Sequence, residues 1–149
     1  MNRLTRLPAK TLRYFQLPAD KQYALRLALR WVIYYRTRVH RVNIDQLQTL
    51  VRGHTLPLPQ RRALTPAQIA WAVSVAARLT GSTCFPQALT TYTLLRQSDF
   101  TAEFHIGVRK TPESGFSAHA WVTYQTHIIN GDLPDLNTYT PLPSILVNR

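Results

Sequence analysis

Cysteine is almost absent from this sequence: among 149 residues there is one, Cys84. A single cysteine cannot form a disulfide within the chain, which excludes the disulfide-built secreted modules. It cannot supply a thiolate zinc site either, and no two histidines have the spacing of metal ligands. The sequence also contains no glycine-rich loop of the kind that binds phosphates. We therefore expect neither a metal nor a cofactor.

Long hydrophobic runs are lacking as well. No apolar run approaches the roughly 18 residues that a membrane-spanning helix needs, and the longest candidate, Trp31 to Tyr35, lies between Arg30 and Arg36. The first residues contain no apolar signal core, so we expect a cytoplasmic protein. Hydrophobic residues still make up 45% of the chain, which is enough to build the core of one domain.

Acidic residues are scarce: 7 Asp and Glu stand against 18 Lys and Arg, giving a net charge of +11. Many of the arginines crowd the first half of the chain: Arg26, Arg30, Arg36, Arg38, Arg41, Arg52, Arg61 and Arg62. They form either a solvated helix face or a surface that docks an acidic partner. A nucleic-acid-binding module is the alternative from another class, but the arginines lack interleaved aromatics and no base-reading motif appears.

Apolar residues recur at helical spacing over four segments of the first two thirds. The segments begin at Pro18, after Asn43, after Thr65 with its capping partner Gln68, and at Cys84, while Gly53 and Gly81 mark two ends. A proline-rich stretch, Leu56-Pro57-Leu58-Pro59, predicts an internal boundary. We expect an N-terminal helical basic region over residues 1–60 and a core over residues 61–149, joined as one compact unit.

The hydrophobic period changes from helix to strand after the fourth helical segment. Alternation predicts strands from Ala102 to Val108 and from Phe116 to Tyr124, and a tight turn would return a third from His127 to Asn130. Helices followed by a small antiparallel sheet define an α+β fold.

Cys84 occupies a position that suits a nucleophile, at the opening of the fourth helix. Pro86 supports this placement, because proline is tolerated only in the first turn. There the free N–H groups and the helix dipole stabilise a thiolate and can bind an oxyanion. A thiol nucleophile needs a base, and His119 lies between Ala118 and Ala120, small residues that leave room for an approaching group. We expect Cys84 and His119 to be nucleophile and base.

The base in turn needs an orienting group. The third strand ends at Asn130-Gly131-Asp132, and antiparallel pairing brings that end near His119, so Asp132 is placed to accept the second imidazole N–H; Asp135 is the fallback. His105 and His127 are interpreted as partly exposed strand residues.

Three blocks around these residues form a recognisable set: Ser82-Thr83-Cys84-Phe85-Pro86-Gln87-Ala88-Leu89, His105-Ile106-Gly107-Val108-Arg109, and Gly115-Phe116-Ser117-Ala118-His119-Ala120-Trp121-Val122. In this order they resemble the transglutaminase-like leader peptidases of lasso-peptide biosynthesis, in the catalytic half of that system. The detailed likeness runs from Ser82 to about Pro143, whereas the N-terminal helices are similar only in pattern and length.

The resemblance implies a papain/transglutaminase-like core with a Cys84, His119 and Asp132 triad. It implies removal of the leader from a ribosomally made precursor peptide, with a separate protein recognising the leader. A separate asparagine-synthetase-like cyclase, using ATP, would then close the exposed amine onto an acidic side chain. The same thioester chemistry leaves open a transglutaminase-like amidase or acyltransferase, since fold does not fix function.

Overall fold

The computed structural model describes residues 14–54, 63–112 and 115–143. Its helices are α1 (Ala19–Arg38), α2 (Ile44–His54), α3 (Pro66–Thr80) and α4 (Cys84–Gln97); its strands are β1 (Ala102–Thr111), β2 (Gly115–Tyr124), β3 (His127–Asn130) and β4 (Thr140–Pro141), with a 3₁₀ turn over Leu136–Thr138. This order confirms the predicted α+β class. The predicted boundary at Leu56-Pro57-Leu58-Pro59, together with Arg61 and Arg62, lies outside the described residues.

Side-chain caps fix where α2 and α3 begin. Thr65 and Gln68 form the predicted reciprocal capping box at the start of α3, and Gly81 ends that helix in the left-handed conformation with φ of 62°. Asn43 and Gln46 exchange the same pair of hydrogen bonds before α2, at 2.9 and 3.1 Å. Local chemistry therefore sets these ends.

The sheet is antiparallel, with the order β3-β2-β1-β4. The β1 and β2 strands pair along their whole length, and Gly107 lies opposite His119. The β3 strand pairs only with Val122 to Tyr124, with an irregularity between Val122 and Thr123. The β4 strand, which pairs with Gly107 and Val108, was not predicted, because two residues are too few to show an alternation.

The core lies between the helices and one face of the sheet. Residues Phe104, Ala120 and Val122 face α4 in a single buried cluster that also includes residues of α1, α2 and α3. A hydrogen bond of 2.7 Å between the hydroxyls of Tyr35 and Thr93 joins α1 to α4. The alternating residues, among them His119, project from the sheet on the other side. The predicted division into an N-terminal helical region over residues 1–60 and a core over residues 61–149 stays a prediction.

None of the helices that the structure describes is both long enough and apolar enough to cross a membrane.

Candidate active site

Cys84 is the first residue of α4 and is a free, half-buried thiol. The Thr83 side chain, although it precedes the helix, makes no capping hydrogen bond. Pro86 has no N–H, and the N–H of Gln87 bonds the Thr83 carbonyl at 3.4 Å. The backbone N–H groups of Cys84 and Phe85 therefore head the helix without a side-chain cap, which is where an anion is stabilised.

The turn before Cys84 is held by local hydrogen bonds. The N–H of Ser82 donates to the Ala77 carbonyl at 3.0 Å as α3 ends, and the Gln87 side chain donates back to the Ser82 carbonyl at 2.8 Å. Pro86, in the first turn of α4, is buried. These contacts fix the Cys84 backbone relative to both helices.

His119 is mostly buried on β2, with 9% of its surface exposed. Its Nε2 lies 2.7 Å from the carbonyl oxygen of Gly131. A carbonyl only accepts, so Nε2 is the donor, and the neutral ring keeps its basic lone pair on Nδ1. The ring stacks on Trp121, at 6.2 Å between centroids and 13° between planes, and lies 5.7 Å from the Tyr139 ring. Its tautomer and its orientation are both set by these neighbours.

Gly131 can approach His119 only because it has no side chain. Its φ is 85°, and a Cβ there would lie 2.6 Å from the Ala120 carbonyl oxygen. The sequence predicts that the end of β3 lies near His119, and the structure places that end there. The group that accepts the imidazole N–H is the Gly131 carbonyl, and Asp132, the next residue, is exposed.

Asp135 is tied to the strand next to His119. It forms an ion pair with Arg109, whose guanidinium also donates to the Thr138 hydroxyl at 3.2 Å and lies 4.6 Å from the centroid of the Tyr139 ring. The hydrogen bond from Arg109 holds the pKa of Asp135 below its usual value, and an electrostatic interaction with His119 adds a smaller lowering. Asp135 therefore places a negative charge within the electrostatic reach of His119.

Tyr139 and Gly107 belong to the surroundings of His119, and the sequence reasoning missed both. Tyr139 is buried, with its hydroxyl 3.3 Å from the Ser117 hydroxyl. A Cβ on Gly107 would lie 2.9 Å from the Tyr139 Cβ and 3.0 Å from the Trp121 ring. The signal for Gly107 was available, because a glycine inside an alternating strand often marks a close approach. Tyr139 gave no such signal, since it follows an irregular segment.

The other histidines of the sheet have structural partners. His105 stacks on Trp121 at 5.4 Å, and its Nε2 lies 2.8 Å from the Thr123 hydroxyl. His127 is exposed, and its Nδ1 donates to the Gln125 carbonyl in its own turn at 2.8 Å.

Within residues 14–54, 63–112 and 115–143, no group of three His, Cys, Asp or Glu side chains is arranged to hold a metal ion.

The predicted catalytic residues are carried by elements that touch. The α4 helix, which begins with Cys84, packs against the core face of β1 and β2. His119 projects from the opposite face of β2, and among the described residues no hydrogen bond joins the two side chains. The Gly131 carbonyl joins His119 to the segment that carries Asp132. The triad of Cys84, His119 and Asp132 stays a prediction that this arrangement makes testable.

Comparison with known proteins identifies a family. No curated protein and no solved structure matches the chain. Residues 25–144 match the family described as the transglutaminase-like superfamily, which includes cysteine proteases and acyltransferases and whose members are typically enzymes. That match covers more than half of the chain and includes the helix of Cys84 and the strand of His119. The chain therefore belongs to the transglutaminase-like superfamily.

Proposed function

We propose that this protein is a cysteine peptidase that removes the leader from a ribosomally made lasso-peptide precursor. One observation carries the proposal: the only cysteine heads a helix without a side-chain cap, and that helix packs against the strand of a histidine whose tautomer is set. The resemblance of the three sequence blocks supplies the substrate class.

The chemistry follows from the groups at the site. In the proposed reaction, substrate binding brings Cys84 within reach of His119. The Cys84 sulfur then gives its proton to Nδ1 of His119 and attacks the scissile carbonyl, and the helix N–H groups of α4 stabilise the resulting oxyanion. Protonated His119 then donates its proton to the departing amine, which leaves a thioester on Cys84. Water, deprotonated by His119, hydrolyses that thioester to a carboxylate and restores the thiol.

The orienting group of this site has two parts in the proposal. The Gly131 carbonyl holds the Nε2 proton of His119, which fixes the tautomer but carries no full charge. Asp132, next in the chain, is proposed to stabilise the imidazolium as it forms, and Asp135 is the alternative. The Asp135 carboxylate is already shared with Arg109, which reduces the charge that it offers to His119.

The proposed reaction exposes a new amine on the core of the precursor. A separate cyclase, similar to asparagine synthetase, would close that amine onto an acidic side chain, and a small leader-recognition protein would present the substrate. These partners come from the resemblance and belong to the proposal.

The test is a cleavage assay with purified protein, a precursor peptide and its leader-binding protein, followed by mass spectrometry. We expect a free leader fragment from the native protein and none from Cys84→Ala, with unchanged thermal unfolding because a half-buried thiol contributes little packing. Cys84→Ser should be nearly inactive as well. Cleavage that survives Cys84→Ala would show that the proposal is wrong.

A second candidate, an acyltransferase, is favoured by the family itself, which includes acyltransferases. The two differ in what resolves the thioester on Cys84. Adding a primary amine to the assay distinguishes them: a peptidase yields mainly the carboxylate product, whereas an acyltransferase yields mainly the amide of the added amine.

A further inference from the structure

A cleft lies on α1, against the end of α2, away from the candidate active site. It has a volume of about 380 Å³, and the residues that line it include Arg30, Trp31, Ile33, Tyr34, Arg38 and His54. We call it the α1 cleft. The reaction proposed above uses none of these residues.

The floor of the α1 cleft is aromatic and rigid. The His54 ring lies 4.7 Å from that of Trp31 and 5.3 Å from that of Tyr34. The Tyr34 hydroxyl is 3.2 Å from Nε2 of His54. The His54 carbonyl accepts a hydrogen bond of 2.7 Å from the buried Gln97 side chain of α4. The floor is thus anchored to the core, and an incoming apolar side chain would meet a preformed surface.

Two exposed arginines flank this floor. Arg30 and Arg38 are eight positions apart on one helix face, two turns from each other. Their guanidinium groups lie 6.0 Å from the Trp31 ring and 5.1 Å from the Tyr34 ring. Within the part of the chain that the structure describes, neither pairs with a carboxylate. By contrast, Arg36 donates to the Thr80 carbonyl at the end of α3.

The rim of the cleft exposes an aliphatic side chain. Ile33 is 50% exposed, among the larger exposed hydrophobic residues of the described chain. An exposed aliphatic side chain on the rim of a cleft that is flanked by two guanidinium groups suits a ligand that has both an apolar and an anionic part. Phosphate backbones lack the apolar part. A peptide with two carboxylates and an apolar side chain between them supplies both parts.

We propose that the α1 cleft docks an acidic peptide segment, with one carboxylate on each guanidinium and an aliphatic or aromatic side chain between them on the Trp31–His54 floor. The net charge of +11 favours an acidic ligand over a basic one. That the segment belongs to the precursor peptide rests on the proposed function, whereas the docking itself does not. The competing explanation is that the arginine stems merely cover the aromatic rings.

The experiment measures binding without turnover, in the Cys84→Ala protein. The probe is a short fluorescein-labelled peptide in which two glutamates flank a leucine and a phenylalanine, and the control peptide has serine in place of both apolar residues. Fluorescence anisotropy is recorded at about 150 mM salt, where the Debye length is about 8 Å and diffuse attraction is weak. Two variants with equal charge are compared, Arg30→Gln/Arg38→Gln in the cleft and Arg26→Gln/Arg41→Gln on the exposed surface outside it.

We expect the cleft variant to weaken binding of the probe by about tenfold, and the surface variant by less than about twofold. The control peptide should bind about tenfold more weakly than the probe. Equal losses in the two variants would overturn the proposal, because the attraction would then be diffuse charge, and so would failure of the probe to bind the Cys84→Ala protein.

A second pair of variants keeps the test independent of the arginines. Ile33→Asp places a negative charge on the rim of the cleft, and Leu79→Asp makes the same change at another exposed aliphatic position, on α3. We expect Ile33→Asp to lose binding and Leu79→Asp to keep it. Because these assays involve no cleavage, a negative result would leave the proposed reaction at Cys84 untouched, and a failed cleavage assay would leave the docking result standing.

Discussion

Two histidines on the same side of the sheet allow the base to be tested against a matched control. His119 donates to the Gly131 carbonyl, whereas His105 is hydrogen bonded to Thr123 and stacked on Trp121. Proton transfer by a positioned base is worth roughly 10²–10⁴-fold in rate. We expect His119→Ala to lower kcat/KM for leader cleavage by that amount and His105→Ala to lower it only slightly, as measured by initial rates. Equal losses would mean that both histidines act structurally.

The orienting acid is tested at the two candidate carboxylates. Asp132 is exposed beside the carbonyl that holds His119, and Asp135 is bound by Arg109. A carboxylate that stabilises the imidazolium acts on kcat and leaves substrate binding nearly unchanged. We therefore expect Asp132→Asn to lower kcat sharply with a modest change in KM, and Asp135→Asn to have a milder effect on both. The reverse order would assign the acidic role to Asp135.

At the scale of the element, the close packing of Tyr139 and Trp121 over β1 depends on a glycine at position 107. A Cβ on Gly107 would lie 2.9 Å from Tyr139 and 3.0 Å from Trp121, and overpacking of this kind costs about 1–3 kcal/mol. We expect Gly107→Ala to lower the free energy of unfolding by that amount in a urea titration. It should also slow cleavage, because Tyr139 and Trp121 hold the ring of His119.

Gly53 provides the control for this prediction. It lies inside α2, and an added Cβ would have nothing within 4 Å. Gly53→Ala should therefore raise the free energy of unfolding by up to about 1 kcal/mol. If both substitutions lower the free energy of unfolding equally, crowding around Gly107 is not the cause of the loss of stability in Gly107→Ala.

The junction of α1 and α2 predicts a pH dependence of stability. Burial and, to a smaller extent, the charge of Arg30 lower the pKa of His54 from 6.5 in the folded protein. The unfolded chain therefore takes up a proton at His54 before the folded protein does, so the contribution of His54 to stability is constant well above pH 6.5 and falls as the pH drops through about 6.5. We expect the melting temperature to fall between about pH 7.5 and 5.5, and His54→Gln to flatten this slope. An unchanged slope in the variant would contradict the prediction.

The elements also show which features the sequence could predict. Helix ends depend on local chemistry, so Thr65 and Asn43 predict two starts directly and Gly81 predicts one C-terminal end. The β1 and β2 strands follow from alternation, and their pairing brings the end of β3 to His119. The contact between His119 and the Gly131 carbonyl could not be predicted, because it depends on a bulged register and a left-handed glycine. The pairing of Arg109 with Asp135 could not be predicted either, because Asp135 lies in a segment whose hydrophobic residues follow neither a helical nor a strand period.

At the scale of the whole molecule, the chain combines a superfamily fold with an uneven distribution of charge. The fold and the family are established, and the lone cysteine begins a helix of that fold. The α1 helix, which carries Arg30 and Arg38, shares one core with α4 and the sheet. A ligand docked on α1 would therefore be held at a fixed position relative to Cys84. Sequence composition predicted the excess of basic charge, but only the packing of His54 on Trp31 and Tyr34 revealed a cleft between the arginines.

The central claim is that Cys84 and His119 act together, and alkylation of the cysteine tests it most directly. Because the chain has a single cysteine, the intact mass reports the reaction of iodoacetamide at Cys84 without ambiguity. The measurement is the initial alkylation rate near pH 6 in the native protein, in His119→Ala and in His105→Ala. We predict that His119→Ala reacts at least about tenfold more slowly than the native protein, while His105→Ala reacts at nearly the native rate. Equal rates in the native protein and His119→Ala would contradict the claim that this histidine activates the thiol.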